Sequence, residues 1–400
     1  MSLGIYISIP FCRTKCSYCN FASDVFSRAV FDRYVDRVCL DISNAQQTAQ
    51  EMGGRIEREV DSIYLGGGTP TVLEPDQLRR MFEALRAQFS VASEAEITVE
   101  CAPGTLLPAV VDTLLRCGVN RVSLGVQSFI DQEAAAVGRL HKHATVLDDI
   151  SRLRAAGITN INIDLIAGLP HQAAESWRES LSKTIATGAP HVSVYMLEVD
   201  EDSRLGRELI AGGARYHAPF VPDEDATADF YLAAYETLED AGIVKYEISN
   251  FARNGFESRH NLKYWTRRPY LGFGVDAHSM LLSSSPTVEA VRFATADSLE
   301  RYVPGAPLQK TEISCTAALE ESFFLGLRLN SGVNLKKLEA AFGTQLLVNF
   351  RGIIADQCEC GLLEQQGEII RLTSRGCLLS NEVFEAFLAP PHIQGNRISV

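Results

Sequence analysis

Short β-branched, apolar runs recur through the first half of the chain, and each is followed by a longer segment whose apolar residues return at helical spacing. Strands are expected at Gly4–Ile9, Ser62–Leu65, Ile97–Glu100, Arg121–Val126, Asn160–Ile166 and His191–Leu197. Most are apolar nearly throughout, as in strands buried on both faces. Helices are expected between them, among others at Pro75–Gln88, Pro108–Arg116 and Thr145–Ala156. Several close on a glycine just ahead of the next strand: Gly118, Gly157 and Gly188. A series of β-α units of this kind implies a parallel sheet with right-handed crossovers. An open doubly wound sheet and a full or partial barrel both satisfy the pattern. In either, ligands gather beyond the carboxyl ends of the strands, where Cys12 to Cys19, Gly66 to Pro70, Glu100, Gln127 and Asp164 fall.

The pattern changes after about residue 200. A helix is expected over Asp223–Ala241. Residues 245–280 are rich in aromatics, histidine and glycine without a clear period, and 282–309 read as a loop-rich connector. From about Thr311 a smaller unit is expected, with helices at Ala317–Arg328, Leu335–Phe342 and Leu346–Cys360. A hairpin in LLEQQGEIIRLT follows, then a last helix at Cys377–Leu388. Helices followed by a hairpin suggest a winged-helix-like module. The expected organisation is thus 1–245, 246–309 and 310–390.

The chain's 400 residues are enough for two or three domains. A formal net charge of −13 argues against a general nucleic-acid binder, which needs a basic footprint; the C-terminal unit is likewise acidic and lacks a basic recognition helix. No run approaches the roughly 18 to 20 apolar residues of a membrane span, which leaves only peripheral contact with a membrane open. MSLGIYISIPFC lacks the features of a secretory leader, so a reducing cytoplasm is expected. There the ten cysteines are better metal ligands or buried thiols than disulfides.

Cys12, Cys16 and Cys19 sit on one loop just after the first strand. Three thiolates so placed suit three corners of a 4Fe-4S cube, leaving a fourth iron open to a small molecule. The amino and carboxylate groups of S-adenosylmethionine suit that iron, and electron transfer into the sulfonium would release a 5′-deoxyadenosyl radical. A structural zinc site is the competing reading, but zinc wants four closed ligands and no fourth Cys or His follows closely. Three unrelated buried thiols is the other. Cys358, Cys360 and Cys377 have no histidine beside them and read as free thiols.

The segment YISIPFCRTKCSYCNF resembles the radical S-adenosylmethionine signature, Cys-x3-Cys-x-aromatic-Cys. More narrowly, the chain resembles the oxygen-independent coproporphyrinogen III oxidases and their HemW relatives over nearly its whole length. The resemblance implies a partial (β/α)6 radical-SAM barrel followed by a small α+β winged-helix-like domain. It also implies that Gly67, Gly68 and Thr69 of the GGGTP loop contact the methionine part of S-adenosylmethionine. Tyr6, Glu100, Gln127, Arg139 (expected in the helix after the fourth strand) and Asp164 match further cofactor-contacting positions. Taken singly, the glycine loop is also a plain strand-to-helix turn, and each polar residue a surface or capping group.

Two features point to the branch. The oxidases carry a fourth cysteine two residues after the third, where this chain has Phe21, and they carry extra residues before the first strand. His260-Asn261-Leu262-Lys263-Tyr264-Trp265 matches the HNxxYW motif of the HemW branch, associated with haem. That match makes His260 a candidate axial ligand, with His278 in GFGVDAHS a competitor. Asp276 in that segment departs from the small residue of the relatives. Three functions follow as expectations: a haem chaperone that passes haem to an acceptor protein, with an electron donor for its cluster; a coproporphyrinogen III oxidase; or a radical enzyme with another substrate.

Overall fold

The computed structural model describes residues 2–388. The six expected strands are β1 (Leu3–Ile9), β2 (Glu59–Gly67), β3 (Ser90–Cys101), β4 (Arg121–Gln127), β5 (Asn160–Ala167) and β6 (His191–Met196). Each lies parallel to the next in chain order. This is the serial βα pattern expected of a partial barrel. The outward faces of the strands bury Ile5, Ile7, Leu65, Val99, Val122, Ile163 and Val192 against the surrounding helices. The helices Pro75–Gln88 and Pro108–Arg116 lie where the sequence places them, each opened by a proline at its first position.

The sheet does not end with β6. It continues through β7 (Val244–Glu247), β8 (Asn250–Ala252), β9 (Tyr270–Phe273), β10 (His278–Leu282), β11 (Ala290–Ala294) and β12 (Gln309–Ile313). The order across the sheet is β12-β11-β10-β9-β1-β2-β3-β4-β5-β6-β8-β7. Residues 282–309, expected as a loop-rich connector, therefore contribute β11 and the short helix Leu299–Tyr302. Strands of three to five residues leave too few positions for alternation to show. β9 pairs parallel to β1, and β8 antiparallel to β6.

The C-terminal unit opens on the helix Cys315–Gly326, capped by Ser314. A three-stranded antiparallel sheet follows, from Val333–Asn334, Leu363–Gln366 and Ile369–Leu372. The helix expected over Leu346–Cys360 breaks into Thr344–Leu347, a 3-10 turn and Arg351–Glu359. The last expected helix is likewise two, Ser374–Leu378 and Ser380–Ala386. Phe387 stacks on Phe323 and on Phe350, which tilt against each other, and the three form the centre of this unit. Positions 389 and 390 of the expected unit lie outside the described residues. Among the described residues no helix is long and apolar enough to cross a membrane.

Glu321 ties this unit to the large sheet. One carboxylate oxygen accepts from Arg267 Nε at 2.9 Å, and the other faces Arg292 Nη1 at 3.0 Å. The Glu321 side chain is 7 % exposed and that of Arg267 13 %, so its removal strands the largely buried Arg267 guanidinium. Glu321→Ala is expected to cost about 3 kcal/mol, read as a lowered urea midpoint.

Candidate functional site

The carboxyl ends of β1 to β6 open into a cavity of about 1050 Å³. Cys12, Cys16, Cys19, Gly67, Gly68, Thr69, Glu100, Gln127, Arg139 and Asp164 all line it. Ten of the residues singled out in the sequence thus share one wall, although they come from five strands and their loops.

The cysteine loop is pinned to its neighbours by main-chain bonds. Cys12 N–H donates to Asp24 O at 3.0 Å and Ser17 N–H to Val137 O at 3.1 Å. From the next loop, Gly68 N–H donates to Ile9 O and Thr69 N–H to Phe11 O, both at 2.8 Å. Lys15 Nζ closes the loop on itself through Phe21 O and Ser23 O. Thr69 Oγ1 lies 3.9 Å from Cys12 Sγ, and Arg139 Nη1 lies 3.5 Å from Cys16 Sγ. Burial raises the Cys12 thiol above its ordinary pKa, so a cation is needed to hold it as a thiolate. Among the described residues no three Cys, His, Asp or Glu side chains converge as the ligands of a single ion would.

Two glycines explain the GGGTP spelling. Gly67 has φ 99°, a conformation that penalises a side chain. A Cβ on Gly68 would stand 2.8 Å from the carbonyl oxygens of Ile9 and Phe11 and 3.0 Å from Cys12 Sγ. The loop therefore approaches the cysteines as closely as backbone can.

The carboxylates lie deeper. Glu100 accepts from Tyr64 OH at 2.9 Å and from Gly67 N–H at 3.1 Å. Burial, reinforced by the negative charge of Asp164, pushes its carboxyl up to about 7. Asp164 accepts from Ser123 Oγ at 2.9 Å and Asn162 Nδ2 at 2.7 Å, and burial raises it too. Gln127 ends β4 at φ 68°, next to a register shift against β5, a strained backbone that aims it at the cavity. Arg139 lies in the turn after the helix Asp131–Ala136, not within a helix as expected, and bonds Gly125 O. A turn lets its guanidinium reach back over β4, which the end of that short helix would not.

Arg121 was not singled out in the sequence. It is 1 % exposed, faces the cavity, and its Nε has no hydrogen-bond partner. Its field favours the ionised forms of Glu100 and Asp164. A charged residue opening an otherwise buried strand was the available signal.

Tyr6 and His260 lie elsewhere. Tyr6 stacks on Tyr64 with ring centroids 6.1 Å apart, below the cavity. His260 lies on the helix Arg259–Trp265 beneath the opposite, amino-terminal end of the barrel strands. Its Nδ1 is 3.0 Å from Ser62 Oγ and its Nε2 2.9 Å from Tyr264 OH. The residue is 1 % exposed, and burial, with the nearby Lys263 charge, lowers its pKa to about 3. As placed, neither ring nitrogen is open to a haem iron. His278 is exposed, 3.8 Å from Asp276, which holds a left-handed φ of 53°.

The radical SAM superfamily pattern matches residues 6–183, and the HemN C-terminal domain pattern matches 313–379. The heme chaperone HemW of Bacillus subtilis is 34 % identical over 390 residues, covering 96 % of this chain and 98 % of that protein. The chain belongs to the HemW family. The HemW of Escherichia coli is 30 % identical over 397 residues, 97 % of this chain and 98 % of that one. Coproporphyrinogen III oxidase (HemN) from Escherichia coli shares the fold, with a TM-score of 0.81 at 24 % identity over 96 % of this chain and 90 % of that chain. Membership of this radical SAM family implies a 4Fe-4S cluster and S-adenosylmethionine.

Two outcomes test this geometry. Gly68→Ala is expected to lower the iron and sulfide retained per chain after anaerobic reconstitution, because its methyl group displaces Ile9, Phe11 or Cys12. Glu100, protonated in the fold up to about pH 7 but ionised above about 4.3 in the unfolded chain, disfavours folding increasingly between those values. Cofactor-free protein should therefore lose stability as pH rises from 5 to 7, by on the order of 3 kcal/mol at most. Glu100→Gln should flatten that slope in thermal melts.

Proposed function

We propose that this protein is a haem chaperone, which binds haem and passes it to an acceptor protein while carrying a 4Fe-4S cluster and S-adenosylmethionine. The observation that carries this reading is the near full-length similarity to proteins named as heme chaperones. Phe21 supports it. This residue stands where the oxidases have their fourth cysteine, lines the cavity and is 63 % exposed.

The residues present fit the cofactors. Cys12, Cys16 and Cys19 would hold the cluster, with Arg139 beside Cys16 offsetting thiolate charge. Gly67, Gly68 and Thr69 leave room for the methionine part of S-adenosylmethionine, and Arg139 also suits its carboxylate. Glu100, Asp164 and Gln127 present acceptors at strand ends, where ribose hydroxyls and an amino group need them. Tyr6 supports Tyr64, which in turn orients Glu100. When bound, the pair supplies reductive cleavage of a carbon–sulfur bond, for which an electron donor is required. The cytoplasm suits both the thiols and this chemistry.

The oxidase reading rests on the shared fold with HemN, and the two are separable. Anaerobically reconstituted protein should take up one haem per chain, give a Soret band, and leave coproporphyrinogen III unchanged with reductant and S-adenosylmethionine. Decarboxylated product without haem uptake would reverse the assignment.

A further inference from the structure

The three cysteine sulfurs meet different polar neighbours. Thr69 Oγ1 lies 3.9 Å from Cys12 Sγ, and Ser23 Oγ lies 3.9 Å from Cys19 Sγ. Cys16 Sγ instead faces a guanidinium, with Arg139 Nη1 at 3.5 Å. A thiolate bound to iron has no proton of its own, so all three neighbours can only donate to it. Each sulfur therefore has one side-chain donor, and the donor at Cys16 carries a full positive charge.

The surroundings enlarge that difference. Cys16 is buried, whereas Cys12 and Cys19 are half-buried. The Cys16 main chain runs along Val137 and Gly138: Ser17 N–H donates to Val137 O at 3.1 Å, and a Cβ on Gly138 would stand 3.8 Å from Cys16 Cα. Val137 belongs to a small apolar cluster with Ile166 and Leu169, against which Tyr18 packs. A charge facing sulfur counts for more where water is excluded. Arg139 is held in that position. Its Nη2 bonds Gly125 O, and a Cβ on Gly125 would stand 2.6 Å from the same nitrogen, so the glycine leaves the space that the guanidinium fills. Ser23 is fixed as well. It is buried, its N–H donates to Phe21 O at 2.7 Å, and Lys15 Nζ donates to its carbonyl oxygen at 2.6 Å.

We propose that Arg139 and Ser23 set the reduction potential of the cluster, Arg139 through Cys16 and Ser23 through Cys19. The proposal rests on the cluster in the reading above and deepens it. Reduction adds one electron to the cluster and makes or breaks no bond. Donors and positive charge at the sulfurs stabilise the added electron, so both residues raise the potential and bring the cluster within reach of a milder electron donor. Arg139 has the larger share, because its contact is charge-assisted and dry.

The test is an anaerobic redox titration of the reconstituted full chain, followed by electron paramagnetic resonance of the reduced cluster. S-adenosylmethionine is left out, because its carboxylate would offset part of the guanidinium charge. Arg139→Gln should lower the midpoint by at least about 59 mV, a ten-fold change in a one-electron equilibrium. Arg139→Lys, which keeps the charge but not the fork onto Gly125 O, should fall between Arg139→Gln and wild type. Ser23→Ala should lower the midpoint by less, and Ser23→Thr, which restores the hydroxyl, should return it. Iron and sulfide content equal to that of wild type shows that a variant's cluster is whole. If Arg139→Gln does not retain its cluster, Arg139→Lys and the Ser23 pair carry the test. Whole clusters that titrate at the wild-type potential in all variants would overturn the inference and leave the cluster reading standing. A shift in the Arg139 variants alone would overturn the role of Ser23. If wild type assembles no 4Fe-4S cluster, both fall.

Discussion

The barrel depends on satisfying a polar interior, and Asn162 is the residue on which that satisfaction turns. Buried on β5, it directs its amide nitrogen to Ser123, Asp164 and Ser193, and its carbonyl oxygen faces His191 Nδ1 at 2.6 Å. Ser193 passes the chain of bonds to Asn250, and His191 to Tyr246. One side chain thus couples β4, β5, β6 and β8. A buried polar network of this kind is favourable only when each member is paired, and the outward apolar faces of the same strands provide the burial that holds it together. The cavity can be wet and charged because the opposite face of every strand is dry.

The two ends of the barrel do different work. At the carboxyl end, loops of glycine, cysteine and strained Gln127 leave space and open ligand positions. At the amino end, the helix Arg259–Trp265 seals the lumen. Glu96 accepts the main-chain N–H groups of Arg259 and His260, and Lys263 reaches Asp61 and Ser2 O. In this arrangement the HNxxYW motif is a closure whose aromatics pack on Tyr6, Tyr64 and Tyr270. Charged and polar groups spent on closing one end leave the other free for chemistry.

Much of this was legible in the residues. The six parallel strands announce themselves because strands buried on both faces are apolar almost without interruption, and helix starts such as Pro75 and Pro108 carry their own signals. The cysteine spacing and GGGTP pointed to one wall of one cavity. What sequence could not show was how short strands pair. β8, with three residues, and β9, with four, have no periodicity of their own and owe their conformation to the edges of β6 and β1. The same holds for His260. Its motif marks it, but burial against Ser62, brought close from 198 residues away, decides that both its nitrogens are occupied. Arg121 escaped notice for the opposite reason, as a lone charge at a strand start reads as solvent-exposed until the lumen encloses it.

The placement of β1 has a consequence for biosynthesis. This strand carries the cysteine loop and leaves the ribosome long before one of its two hydrogen-bonded neighbours, β9, which joins Gly4 to Tyr270. At roughly 5–20 residues per second, the nascent chain spends tens of seconds with that edge unpaired and the thiols unsheltered. Cluster assembly on a finished barrel is therefore an event that follows translation, and exposure of the cysteines to oxidants is greatest before synthesis is complete.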